Sequence, residues 1–456
     1  MRGILRRKKE LTTTQIIAFG FLGAILLGTA VLMLPVSSAD GTWTNPVDAL
    51  FTATTSVCVT GLTTVSTAGH WSLFGQIVIM ILVQFGGLGI VTFTTVVLLA
   101  ASKRITLKER LLIRDAYNLN SLNGLVKLTK KIVKGTLIVE AVGALLYMPV
   151  FVRDKGFFGI FAAIFNSVSA FCNAGMDVLG DTSLYEYRSN IIVNFTTMFL
   201  IIMGGIGFYV WWDIIKAGKK KMSGKNVRFF RGLALHTKLV LSVTLILIAG
   251  GAVLYLILEY NNNETFGGMS FFHKVQASMF QSVTTRTAGF YTVPQQNFTD
   301  ASSFVSLLLM FIGGSPSGTA GGVKTVTVAM LFLTVVAIIK NREETEVFGR
   351  SISSSDVRKG IAVIFISFGA MIVSMAALSF TQGTDFLDTL YETVSAIATV
   401  GLTRGLTGQL DDVGKIIVVI TMYIGRIGPI SLALFFNSGI GKETGGRYPK
   451  GKIMVG

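Results

Sequence analysis

Charge is scarce in this chain, and acid is scarcer than base. Asp, Glu, Lys and Arg fill 14% of the 456 positions, against 51% hydrophobic residues. A soluble domain carries charge at about a quarter of its positions, and the mean hydropathy is +0.65, so an ordinary soluble fold is excluded. Cysteine is nearly absent. Cys58 and Cys172 are too few for a disulfide scaffold or a thiolate metal cluster, and His70, His236 and His273 are too far apart for metal-ligand spacing. No nucleophile–base constellation and no phosphate-cradling Gly-Lys-Ser/Thr loop occurs, so the chain is read as not an enzyme. No segment outside the apolar runs is long enough for a nucleic-acid-binding module.

Apolar runs of about 20 residues recur instead, the length needed to cross the roughly 30 Å hydrocarbon core. Seven prolines and 50 glycines suit closely packed membrane helices with some broken backbone. The net charge of +16 sits largely between the runs, as the positive-inside rule expects. The run 16–36 follows Met1-Arg2-Gly3-Ile4-Leu5-Arg6-Arg7-Lys8-Lys9. It is too long for a signal-peptide core and reads as a first membrane helix with a cytoplasmic N-terminus.

A short polar motif recurs with a long period. Val59-Thr60-Gly61, Asn173-Ala174-Gly175, Thr287-Ala288-Gly289 and Thr399-Val400-Gly401 end in glycines spaced 175−61 = 114, 289−175 = 114 and 401−289 = 112 residues apart. A hydroxyl residue (Thr55, Ser169, Thr284, Ser395) stands five or six places before each glycine. Solenoid repeats have periods of about 20 to 50 residues, so this is a four-fold duplication of a whole unit. Each unit reads as helix, pore segment, helix: 16–36, 46–64 and 74–100; 132–152, 157–178 and 190–213; 239–259, 270–292 and 304–339; 361–380, 386–407 and 415–438. The expected fold is an all-α polytopic membrane protein with eight transmembrane helices and four re-entrant half-helices around one pseudo-four-fold pore. The boundaries are 1–114, 115–231, 232–350 and 351–440, then a cytoplasmic tail over 441–456. With both termini inside, the three large basic connectors fall on the cytoplasmic side.

Glycine at the end of each motif permits positive φ and can aim successive carbonyls in one direction. A ring of such carbonyls can replace the hydration shell of an alkali cation, and the twelve motif residues are the expected filter. No carboxylate ring is present, which favours a monovalent ion. Arg286, beside the third motif, reads as a brace behind the loop, with Glu392 as a candidate partner. Arg426 lies within a span and is open to two readings: an interfacial residue, or a positive barrier on the inner side of the pore. The second half of unit three is interrupted by Gly313-Gly314-Ser315-Pro316-Ser317-Gly318-Thr319-Ala320-Gly321-Gly322, which cannot make a good helix. It is either a kink or a loop that plugs the pore; Lys324 beyond it would anchor that loop to an acid or repel ions. Glycines recur in the second helices as Gly86-Gly87-Leu88-Gly89, Gly204-Gly205-Ile206-Gly207 and Gly425-Arg426-Ile427-Gly428-Pro429.

Together these residues resemble the Ktr/Trk and HKT superfamily of potassium transporters, most closely the KtrB-like membrane subunit, over nearly the whole chain. The resemblance implies potassium (K+) uptake across the plasma membrane, often stimulated by sodium (Na+), by a homodimer with one pore per subunit, embedded in membrane lipid. It implies the four glycines as filter, 313–322 as gate and Arg426 below the filter. It also implies a cytoplasmic KtrA-like ring that binds ATP or ADP, on another chain, because this one has no nucleotide-binding domain and no organic cofactor is expected. Glycine at position 61 favours potassium, and Pro316 departs from the family's usual small residue. The alternative class is a secondary transporter coupled to sodium or protons, which would need more ionisable residues than Glu140, Lys324 and Arg426.

Overall fold

The computed structural model describes residues 12–89, 92, 95, 125–223 and 229–428. The first basic connector (Lys103 to Arg114), Lys225, Arg228, Pro429, the C-terminal tail and the basic N-terminus lie outside these residues.

Among the described residues, four helices are long and apolar enough to cross a membrane: α1 (Thr13–Leu32), α4 (Leu125–Lys155), α8 (Leu235–Leu258) and α12 (Ser354–Gln382). They fall on the four expected first helices. Their outward faces carry Leu27, Leu145, Ile257, Phe365 and Phe380, all exposed. The interior runs the other way. Thr52, Thr54, Thr55 and Ser56 are buried in the short helix α2 (Pro46–Cys58), as are Thr393 and Ser395 in α13 (Phe386–Ile397). Apolar outside and hydroxyl-rich inside is what a hydrocarbon solvent selects. The buried hydroxyls return to their own helix: Thr54 donates to the Leu50 carbonyl at 2.7 Å and Thr393 to Thr389 at 2.8 Å.

Two further short helices, α5 (Phe158–Cys172) and α9 (Phe271–Thr284), complete the pore-segment set. Their entries follow from sequence: Asn45 accepts from the Val47 N–H with Pro46 in the first turn, and Ser270 and Asp385 cap α9 and α13. The second helices are α3 (Leu73–Leu88), α6 (Ile191–Gly205) with α7 (Phe208–Met222), α10 (Asp300–Phe311) with α11 (Thr325–Ile339), and α14 (Asp412–Ile427). α3 packs on α5, α6 on α9, α10 on α13, and α14 returns to α2. Each second helix thus touches the pore helix of the next unit, and the last contact closes the circle.

Two expectations are corrected. The helix foreseen over 190–213 is two helices meeting at 95°; the hinge is Gly207, at φ +92. The same glycine ends α3 at Gly89 (φ +78) and α14 at Gly428 (φ +87), so the last glycine of the repeated motif is a helix stop. Left-handed backbone suits glycine and cannot continue a right-handed helix. The third connector is shorter than foreseen. Arg358 and Lys359 already belong to α12, and a small hairpin, β1 (Thr345–Val347) with β2 (Arg350–Ile352), pairs Thr345 with Ile352. Its turn residues Phe348 and Gly349 both have positive φ, the geometry of a tight two-residue hairpin loop.

Candidate ion pathway

The four recurring motifs begin where the pore helices end. Val59, Asn173, Thr287 and Thr399, each two places before a motif glycine, have φ of 57, 61, 68 and 52°. They are half of the eight non-glycine residues found in the left-handed region among the described residues. Such conformations cost of order 1–3 kcal/mol each and persist only where surrounding structure imposes them. Here the hydroxyls supply part of that constraint. Thr55 accepts from the Gly61 N–H at 2.9 Å and Ser395 from the Gly401 N–H at 3.0 Å. Ser169 accepts from Met176 N–H at 3.1 Å, and Thr284 instead donates to the Phe290 carbonyl at 2.5 Å. The repeated hydroxyl therefore ties each loop to the end of its own helix.

The glycines close a ring. A methyl group at Gly61 would stand 2.5 Å from the Ala174 carbonyl oxygen, at Gly175 2.6 Å from that of Ala288, and at Gly289 2.5 Å from that of Val400; at Gly401 it would overlap the Thr60 carbonyl. Each loop thus presents the carbonyl before its glycine to the glycine of the preceding loop, and only a residue without Cβ fits. Eleven of the twelve motif residues are buried, and Gly175 is half-buried. The Thr60 and Thr399 hydroxyls are buried and lack a hydrogen-bond partner among the described residues, while Asn173 reaches the Thr287 hydroxyl at 3.5 Å. The ring is rich in oxygen and contains no ionised side chain.

The glycines of the second helices have a separate steric role. A Cβ at Gly86 would overlap the Val57 carbonyl, at Gly204 that of Phe171, and at Gly425 that of Ile397. Each lets the second helix lie against the last turn of the pore helix in its own unit.

The interrupted stretch is an ordered loop. The Ser315 N–H donates to Gly205 at 2.9 Å, Thr319 N–H to Gly204 at 3.2 Å, and Phe208 N–H to the Ser317 carbonyl at 3.0 Å. The loop therefore rests on the break between α6 and α7. Its own ends are pinned by Thr325 N–H to Gly314 at 3.0 Å and by Ser315 with the Thr325 hydroxyl at 3.0 Å. Inside, it meets the motif ring: Thr319 donates to the Phe171 carbonyl at 3.1 Å, and a side chain at Gly321 would overlap the Thr399 hydroxyl. Pro316 packs with its carbonyl against Gly207.

The three cations settle differently from one another. The Arg426 guanidinium donates to the Thr319 carbonyl at 2.8 Å and to the Gly86 carbonyl, bridging loop and α3. Lys324 donates to Ala320 at 2.7 Å within its own loop, so the acidic anchor foreseen for it is replaced by carbonyls. Arg286 is corrected most. Its contact is the Thr244 hydroxyl at 3.5 Å, whereas Glu392 accepts from Thr403 at 2.6 Å and Thr407 at 2.5 Å. Glu392 therefore braces the far side of its own loop. Cys58 and Cys172 are both free and buried.

Sequence reasoning missed the outer staples. Lys415 of α14 pairs with Asp48 in the first turn of α2 at 2.8 Å, and Asp48 also accepts from Thr64 at 2.8 Å. Arg404 pairs with Asp388 in the first turn of α13 at 2.7 Å and donates to Ser303 at 2.6 Å. An acid in the first turn of two pore helices was the available signal, since helix N-termini favour it; the basic partners are distant in sequence.

Comparison with known proteins agrees with this architecture. The chain matches the family profile described as "Cation transport protein" (TrkH) over residues 9–441. It is 37% identical to the potassium/sodium uptake protein NtpJ of Enterococcus hirae across 99% of both chains. It is 38% identical to the Ktr system potassium uptake protein B of Bacillus subtilis, across 98% of this chain and 97% of that one. The crystal structure of the potassium transporter TrkH from Vibrio parahaemolyticus superposes with a TM-score of 0.74 at 17% identity, covering 95% of this chain and 86% of that one. The chain is a membrane protein and belongs to the TrkH family of cation transport proteins.

Proposed function

We propose that this chain is the pore-forming subunit of a potassium uptake system in the plasma membrane. The observation that carries the reading is the closed circle of four glycine loops, each offering a backbone carbonyl to the glycine of the preceding one. Thr60, Ala174, Ala288 and Val400, with the residues on either side of each, are the proposed filter. Their carbonyls replace the water around K+ without a fixed negative charge that would retain it. The C-terminal ends of the four pore helices, which carry partial negative charge, add to the cation's stabilisation. Eight spans and four re-entrant half-helices, divided at 114, 231 and 350, are the corresponding architecture, with both termini cytoplasmic.

The loop 313–322 is the proposed gate. Its contact with the ring through Gly321 and Thr319, and its tether to Arg426, support that role. Arg426 then acts as both latch and positive barrier beneath the filter. Uptake by a homodimer under a nucleotide-binding cytoplasmic ring is proposed from the resemblance to Ktr systems. The name of the Enterococcus relative puts sodium beside potassium, so both ions are to be measured.

The test is uptake of each ion into liposomes carrying the purified chain. Uptake that prefers potassium supports the reading. Absence of flux, both in the intact chain and after deletion of 314–320, refutes it.

A further inference from the structure

We propose that the cavity between α4 and α7 binds an anionic phospholipid, and that its occupation holds the loop 313–322 in its docked position. The second half of this statement rests on the reading of that loop as a gate; the first does not. The cavity measures about 270 Å³, close to the lower end of the roughly 300–1,000 Å³ typical of small-molecule sites. Leu128 and Ile132 of α4 face Phe208, Tyr209 and Trp212 of α7 across it, an apolar lining suited to part of an acyl chain.

Its rim is basic. Lys216 lines it, and the Lys131 ammonium lies 5.6 Å from the centre of the Trp212 ring. Lys127, Lys130 and Lys134 follow on α4, and Lys219, Lys220 and Lys221 on the last turn of α7. The acid in the lining, Asp213, accepts from the Ala234 N–H at 2.8 Å. The Trp212 indole N–H is buried and has no partner among the described residues. An aromatic donor beside lysines over an apolar slot matches a phosphodiester headgroup with its chain below. Basic pockets between helices recognise anionic lipid in this way, and a zwitterionic lipid offers the lysines no net charge.

The cavity also reaches the loop. Ser317 forms part of its wall, has φ of 60°, and holds the Phe208 N–H on its carbonyl. A left-handed serine is a strained element that persists through its surroundings. A ligand that binds this arrangement and not the undocked one stabilises it by mass action.

The experiment uses the full chain in phosphatidylcholine vesicles containing either phosphatidylglycerol or phosphatidylcholine with brominated acyl chains, at equal mole fraction. Tryptophan fluorescence is read, and Trp212 is one of four tryptophans. Brominated phosphatidylglycerol is expected to quench more strongly. The excess is expected to fall in Trp212→Phe, a mild change, and in the Lys131→Gln/Lys216→Gln double variant. Equal quenching by both lipids, or an excess unchanged in both variants, overturns the site.

Potassium uptake is measured in the same vesicles with unbrominated lipid. It is expected to fall as phosphatidylglycerol rises, roughly twofold at half-saturation, and the double variant is expected to lose this response. Accumulation of K+ at an anionic surface would act in the opposite direction. Preferential quenching with unchanged uptake overturns the coupling if deletion of 314–320 still raises flux. If that deletion is also without effect, the gate reading fails and the lipid site stands.

Discussion

The guanidinium of Arg426 is bonded to the carbonyl of Thr319, 2.8 Å away, although 107 residues separate them. One arginine on the last described helix thus holds a loop from the third unit against a helix of the first. An arginine within a membrane helix is costly and persists only with partners. Here the partners are backbone carbonyls freed by the irregular loop and by the end of α3.

Removing that latch is expected to raise unregulated uptake. Hydrogen bonds from a charged group contribute roughly 1.5–3 kcal/mol each, so the loss shifts loop docking by about tenfold or more. Arg426→Gln, assayed for potassium uptake in liposomes, should pass more ion than the parent. Arg426→Lys, which keeps the charge and can reach one carbonyl, should fall between them. Equal flux in all three would dismiss the latch.

The ring tolerates no side chain. Gly61→Ser places a Cβ 2.5 Å from the Ala174 carbonyl at a residue with φ of +99. The carbonyl must move, so discrimination between potassium and sodium is expected to weaken. Gly180→Ala, where nothing lies within 4 Å, serves as the control and should keep the parent's ion ratio. An unaltered ratio in Gly61→Ser removes the filter assignment.

Gly207 joins the helix break to the loop. Gly207→Ala strains the backbone at φ +92 and drives a methyl into the Pro316 carbonyl. Undocking of the loop is expected, with uptake raised toward that of the 314–320 deletion. A protein that folds normally and conducts like the parent would show that the loop does not depend on this seat.

Asp177, two residues beyond Gly175, provides a pH signature outside the spans. Burial pushes its carboxyl up to about 6, an effect that bonds from the Leu179 and Gly180 N–H groups and Ser183 only partly offset. The folded value lies above the ordinary one, so holding the charge costs stability above about pH 6, and the cost is relieved as pH falls through that value. Asp177→Asn removes the group. The Tm difference between variant and parent is therefore expected to shrink between pH 7.5 and pH 5. A difference independent of pH would place the carboxyl's titration elsewhere.

The amino-acid sequence by itself determined the membrane class, the positions of the four long helices and the recurring motif with the glycine that ends it. These are local or periodic properties. Segment length against bilayer thickness decides the spans, and a residue without Cβ is required wherever the chain must turn left-handed. The interrupted stretch at 313–322 was legible for the same reason, since glycine, serine and proline in succession cannot propagate a helix.

Tertiary structure alone decided which loop meets which. Arg286 and Glu392 look like partners in sequence, yet Glu392 is taken by Thr403 and Thr407 and Arg286 reaches Thr244. The seating of the loop 313–322 on the break at Gly207, the bridge from Arg426 to Thr319 and Gly86, and the Lys415–Asp48 staple all join segments distant in the chain. Their pairing depends on how the helices pack into a closed circle. The physical reason is that a hydrogen bond in a low-dielectric interior goes to whichever backbone group the packing leaves unpaired, and local sequence does not specify where that group will lie.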